Sequence, residues 1–128
     1  MKKILAEISV GELLDKLTIL EIKLEKISDK ESLKIIKKEY QALSKADLTG
    51  MDKSQYKVLF DELKSTNIKL WDIENEKRLC EKNSDFGEKF IQVSRDVHFM
   101  NDKRAEIKSK INQLSGSNIR EVKQYTKY

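Results

Sequence analysis

The residues of this sequence best placed to do chemistry are the polar ones that fall inside its rows of apolar residues. The clearest is Arg104, in the series Phe86, Phe90, Val93, Val97, Met100, Arg104, Ile107, Ile111 and Leu114, spaced alternately by four and three. At about 100° per residue, Asn101 and Lys108 flank that row. Asn67 and Glu74 fall in mid-arc of the preceding segment with Arg78 at its edge, and Glu21 falls between Leu14 and Leu17. Buried charges are costly unless paired, so these groups are expected to meet one another. Folding the chain about Ser84 and about Gly50 sorts them into two layers. One layer holds Asn67, Asn101 and Arg104, close to a break at Asp29. The other holds Glu21 and Arg78, with Glu74 one turn away. Two chemistries remain open. The layers set helix register, as one buried asparagine does in a coiled coil. Alternatively, Glu21, Asn67, Trp71, Glu74, Arg78, Asn101 and Arg104 line a pocket for an anionic or nucleotide-like ligand, with Trp71 either core or an aromatic wall.

Catalytic patterns are weak by comparison. His98 is the one histidine, and Ser94, His98 and Asp102 lie on one helical strip. Neighbouring rungs of a single helix do not hold nucleophile, base and orienter in reacting geometry, so no catalytic residue is assigned. One histidine and the lone Cys80 cannot build a zinc site, and no paired Glu-x-x-His motif supports a di-iron bundle. There is no P-loop and no GxGxxG, so neither a metal nor a cofactor is expected.

The positioning elements follow from composition and periodicity. With 128 residues, no proline, four glycines, 38% apolar and 38% charged residues, the chain reads as a single helical domain over residues 1–128. No apolar run approaches the roughly 20 residues needed to cross a bilayer, and Glu7 and Glu12 interrupt the start too early for a signal peptide. A cytoplasmic protein is expected. Ser9 with Glu12 forms a capping box that starts a first helix near residue 10, with a seam of Val10, Leu13, Leu17, Leu20, Leu24 and Ile27. Ile19 and Ile22 fall on the opposite side. That helix is therefore wedged between neighbours or shared with a second copy.

Ser28 and Glu31 repeat the capping signal and mark a break near residues 28–30, after which Leu33, Ile36, Tyr40 and Leu43 resume the pattern. Turns are expected around Gly50 and over Asn83 to Gly87, with Asp52 and Asp85 as caps. Asn118 and Glu121 could cap a short C-terminal helix. The expected fold is all-α: an elongated antiparallel bundle of three legs, the first one broken, with coiled-coil-like packing. A short extended start over Lys3 to Ile8 is the one segment read otherwise.

Charge is distributed unevenly. Residues 1–102 carry 19 basic and 20 acidic groups, whereas residues 103–128 carry seven basic and two acidic. Lys103, Arg104, Lys108, Lys110, Arg120, Lys123 and Lys127 give that end its charge, and residues 115–128 form a basic tail that also holds Tyr125 and Tyr128. Such a tail could hold an anion, a phosphate backbone or an acidic membrane surface, or it simply complements a helix C-terminus. Nucleic acid is an unfavoured partner, because the preceding residues add no attraction.

The segments Gly11-Glu-Leu-Leu-Asp-Lys-Leu-Thr-Ile-Leu-Glu-Ile-Lys23, Leu70-Trp-Asp-Ile-Glu74 and Asn101-Asp-Lys-Arg-Ala-Glu-Ile-Lys108 resemble a bacterial family of small helical proteins classed as a domain of unknown function. The resemblance spans nearly the whole chain and implies no activity. All-α chorismate mutases share the short length but need clustered arginines, and all-α nucleotide pyrophosphohydrolases need clustered acidic metal ligands. Neither pattern occurs here. The favoured expectation is a non-catalytic helical interaction module that forms a homo-oligomer through helix 1 and contacts an acidic partner. The alternatives are the small-molecule pocket and weak nucleic-acid binding by the basic end.

Overall fold

The computed structural model describes residues 2–128 and contains four α-helices: α1 (Val10–Lys26), α2 (Lys30–Leu43), α3 (Lys53–Lys82) and α4 (Glu88–Ser115). Among the described residues there is no strand, and no helix is long and apolar enough to cross a membrane. The extended start at residues 3–8 forms no regular element.

Local capping chemistry sets most of the boundaries. Ser9 Oγ accepts the Glu12 N–H at 3.1 Å, but Glu12 does not complete a capping box, because its carboxylate reaches Lys108 at 2.8 Å. At the break the cap is Asp29 rather than Ser28, its carboxylate accepting the Ser32 N–H at 2.9 Å. Asp52 accepts the N–H groups of Ser54 and Gln55, each at 3.0 Å. Asp85 stands two residues before the cap position, accepts the Gly87 N–H, and leaves Gly87 to start α4 without a side-chain cap. The helix closes at Gly116, whose φ of 68° suits a residue without Cβ. The short helix expected after Asn118 does not form. Asn118 and Glu121 bond to Glu7 and Lys108, so neither is available as a cap.

Topology differs from three legs. The turn at Ile27 to Asp29 sends α2 back along α1, and Tyr40 Oη donates to Glu21 at 3.0 Å. The chain reverses again between Leu43 and Lys53, so α1 and α3 run in the same direction. Leu13, Leu14 and Leu17 meet Leu59 and Leu63, while Asp15 and Thr18 meet Asn67. Helix α4 runs antiparallel to both, pairing with α3 as a long hairpin and bringing Ile107 and Ile111 into the same core. Each buried leucine or isoleucine there contributes roughly 1.5–3 kcal/mol.

Helix α1 packs against all three other helices, and α2 packs against α1 alone. The second apolar face of α1 is thus largely covered within the chain: Ile22 is 1% exposed, and Ile19 is half-buried. At about 1.5 Å per residue, α3 extends about 45 Å against about 26 Å for α1, so the α3–α4 hairpin outruns it. Beyond the end of α1 the hairpin still buries Cys80 and Val93 between its own two helices, but Leu79, Phe86 and Ile91 are exposed.

Candidate functional site

Asp15 is the centre of the polar structure. Its side chain is only 2% exposed, and Arg104 grips it from α4 through Nε at 2.8 Å and Nη2 at 2.5 Å. Asn67 on α3 donates from Nδ2 both to Asp15 Oδ1 at 3.0 Å and to Thr18 Oγ1 at 2.9 Å. Lys108 stands 3.8 Å from the same carboxylate, 2.8 Å from Glu12 and 3.3 Å from Glu121. Burial pushes the Asp15 carboxyl upward, but the hydrogen bonds from Arg104 and Asn67 and the charges of Arg104 and Lys108 outweigh it and hold the group below its ordinary range. For Lys108, burial pulls downward while Glu12, Asp15 and Glu121 more than compensate, keeping it a cation. This clamp locks α1, α3, α4 and the C-terminal segment together.

The approach of α1 to α4 is close enough to require glycine at one position. Gly11 donates its N–H to Asn112 Oδ1 at 2.7 Å, and a Cβ there would lie 2.6 Å from the Lys108 carbonyl oxygen.

Beside the clamp lies an open cleft of about 370 Å³. Its apolar floor is Ile19, Ile22 and Leu70, with Trp71 as a partly buried wall. Asn67, Glu74, Asn75, Arg78 and Arg104 supply the polar groups. Arg104 is 29% exposed at the border of the clamp, whereas Glu74 and Arg78 are exposed and, among the described residues, form no ion pair. Five of the seven expected ligand residues therefore share one opening. Glu21 does not: it faces away, bonded to Tyr40 and to Lys64 at 3.1 Å. The Arg78 partner expected for it assumed an antiparallel first leg, and the intervening α2 places residue 21 near residue 64 instead. Asn101 also departs from Asn67 and Arg104. It borders a separate cavity with His98, Asp102, Tyr125 and Tyr128, under the returning C-terminal segment.

In that region Asp102 accepts a hydrogen bond from Tyr128, and the His98 ring packs edge-on to Tyr128. Ser94 Oγ is buried and has no hydrogen-bond partner among the described residues, so the Ser94, His98, Asp102 strip is not a reacting chain. The expected basic tail is also reduced. Lys108 is buried and committed to the clamp, and Lys123 pairs with Glu121 at 3.6 Å. Lys110, Arg120 and Lys127 remain exposed.

A family model described as a family of unknown function, DUF6165, matches residues 3–128. The chain belongs to that family. No curated protein and no solved structure matches it. For this DUF6165 chain the site must therefore be argued from its own geometry, in which Asp15, Thr18, Glu12 and Glu121 are participants that the seams did not identify, and Lys108, seen only as flanking one, is the partner of the carboxylates.

Proposed function

We propose that the protein binds a small molecule carrying an anionic group, in the cleft between α1, α3 and α4, without catalysing a reaction on it. The observation that carries this reading is the convergence of Asn67, Trp71, Glu74, Arg78 and Arg104 on one opening over an apolar floor. Its volume falls within the range of roughly 300–1,000 Å³ usual for ligand clefts, and its mix of apolar surface with few polar groups is typical of them. Arg78 supplies the free positive charge, because the charge of Arg104 is balanced by Asp15. A cytoplasmic location is part of the same proposal.

A thermal-shift screen of nucleotides, sugar nucleotides and phosphorylated metabolites tests it. A ligand that binds only the folded state raises stability by about 2.7 kcal/mol at a hundred times its Kd. Arg78→Gln should abolish the shift while leaving the unliganded melting temperature within about 1–2 °C of the parent, since the side chain is exposed and forms no ion pair among the described residues. No response to any of these compounds at millimolar concentration would end the reading.

A second reading, an interaction module that forms homo-oligomers and meets an acidic partner, is favoured by the uncovered terminal segments. Ile4, Leu5 and Val122 are 89–90% exposed, and Lys110, Arg120 and Lys127 lie free nearby in sequence. Association through α1 is disfavoured by its burial, so copies would meet through these segments. Light scattering that finds only monomer at high micromolar concentration removes the oligomer from this reading.

A further inference from the structure

Resting on the reading of the cleft as a ligand site, we infer that it recognises the lactam edge of a nucleobase, a ring carbonyl next to a ring N–H, in a mononucleotide whose phosphate lies at Arg78. The inference comes from which atoms the clamp leaves over. Asp15, ionised, can only accept hydrogen bonds. Thr18 spends its hydroxyl proton on the Asp15 carbonyl oxygen at 2.8 Å, so it too can only accept. The side of Asn67 that faces both is therefore its NH₂ group, and Oδ1 is forced to the other side. Among the described residues Oδ1 accepts no hydrogen bond, although Asn67 is only 5% exposed, and it is not sealed from solvent. The opening that Asn67 borders is the cleft.

Arg104 is left in a similar state. Nε and Nη2 are taken by Asp15, and Nη1 bonds to nothing among the described residues. Asn67 Nδ2 and Arg104 Nε bond the same Asp15 oxygen, so one carboxylate brings the residues that carry the free acceptor and the free charged donor to the same border of the cleft. The complementary group is planar and carries a donor next to an acceptor. A guanidinium can only donate, and a ring carbonyl oxygen with two lone pairs offers it a better acceptor than the single lone pair of a ring nitrogen, which favours a lactam over the amidine edge of adenine. An N-acyl group does not fit, because its trans amide turns the N–H and C=O to opposite sides. Trp71 offers a face on which the base can stack, and Arg78 carries no competing ion pair for the phosphate. The volume suits one nucleotide.

The test changes the ligand and leaves the protein intact. Trp71 is the only tryptophan, so its fluorescence reports directly on the cleft. Titrations would use uridine, guanosine and adenosine 5′-monophosphates, N3-methyluridine 5′-monophosphate and ribose 5-phosphate. The expected result is a response to the uridine or guanosine nucleotide, weakened at least about tenfold for adenosine and for N3-methyluridine and absent for ribose 5-phosphate. Equal affinity for uridine and N3-methyluridine nucleotides, or preference for adenosine, overturns the lactam edge. Ribose 5-phosphate binding as tightly as the nucleotides overturns it too but leaves an anion-binding cleft standing. If none of them binds and the wider screen is also silent, both the edge and the cleft reading fall.

Discussion

Asp15 draws two cations, an amide and a hydroxyl into one buried cluster, and removing either member of its ion pair has unequal consequences. In Arg104→Met the carboxylate stays buried with Lys108 only at 3.8 Å, so unfolding in urea should show a loss of about 3–5 kcal/mol. Asp15→Asn leaves Arg104 able to hydrate through its exposed portion and should cost less, about 1–3 kcal/mol. The pH dependence has a definite sign. Because the folded Asp15 carboxyl titrates below its ordinary value, its contribution is complete above about pH 5 and is lost as pH falls through the folded value. Thermal unfolding between pH 3 and 7 should therefore steepen on the acid side, and Asp15→Asn should flatten that limb. Exposed capping carboxylates such as Asp29 and Asp52 leave some slope in place. Arg104 and Asn67 were legible in the sequence because each breaks an apolar row. Asp15 was not, although a signal existed: Gly11, Asp15, Thr18 and Ile22 form a second row spaced four, three, four, and each of them is buried. A row with one apolar member in four does not register as a seam.

Helix ends were readable where a carboxylate or hydroxyl meets an N–H two or three residues on, as at Ser9 and Asp52. Direction was not readable. The break at residues 28–30 announces a new helix start, but α2 turns back because Tyr40 and Leu43 pack against the core cluster to which α1 contributes Leu13, Leu14 and Leu17, a tertiary choice. Asp29→Ala removes the side-chain cap of α2 and should show as a small drop in melting temperature. Gly11→Ala should cost more, about 1–3 kcal/mol, because the new methyl meets the Lys108 backbone oxygen, which cannot move aside without bending α4. Crystal or solution measurement of the α1–α4 spacing would show the helices pushed apart. Helix α2 buries only Ile36 and leans on α1 alone, so its amides should exchange with deuterium well before those of α1. Equal protection of the two helices would contradict that order.

At the scale of the whole molecule, the all-helical class followed from composition and periodicity, whereas the site needed the fold, since it joins residues from three helices that do not share one hairpin. The cleft exists because α1 is shorter than the hairpin it packs on: where it gives out, Trp71, Glu74 and Arg78 lose their cover and become a border. The clamp has a different consequence, in time. Asp15 and Arg104 are 89 residues apart, and Gly11 is 101 from Asn112. During synthesis the first helix emerges with a carboxylate, an amide N–H and an apolar face whose partners have not yet been made. At roughly 5–20 residues per second it waits several seconds or more for them. Until the last quarter of the chain is out, α1 can pack only on α2 and the start of α3, and the closing step of folding belongs to α4.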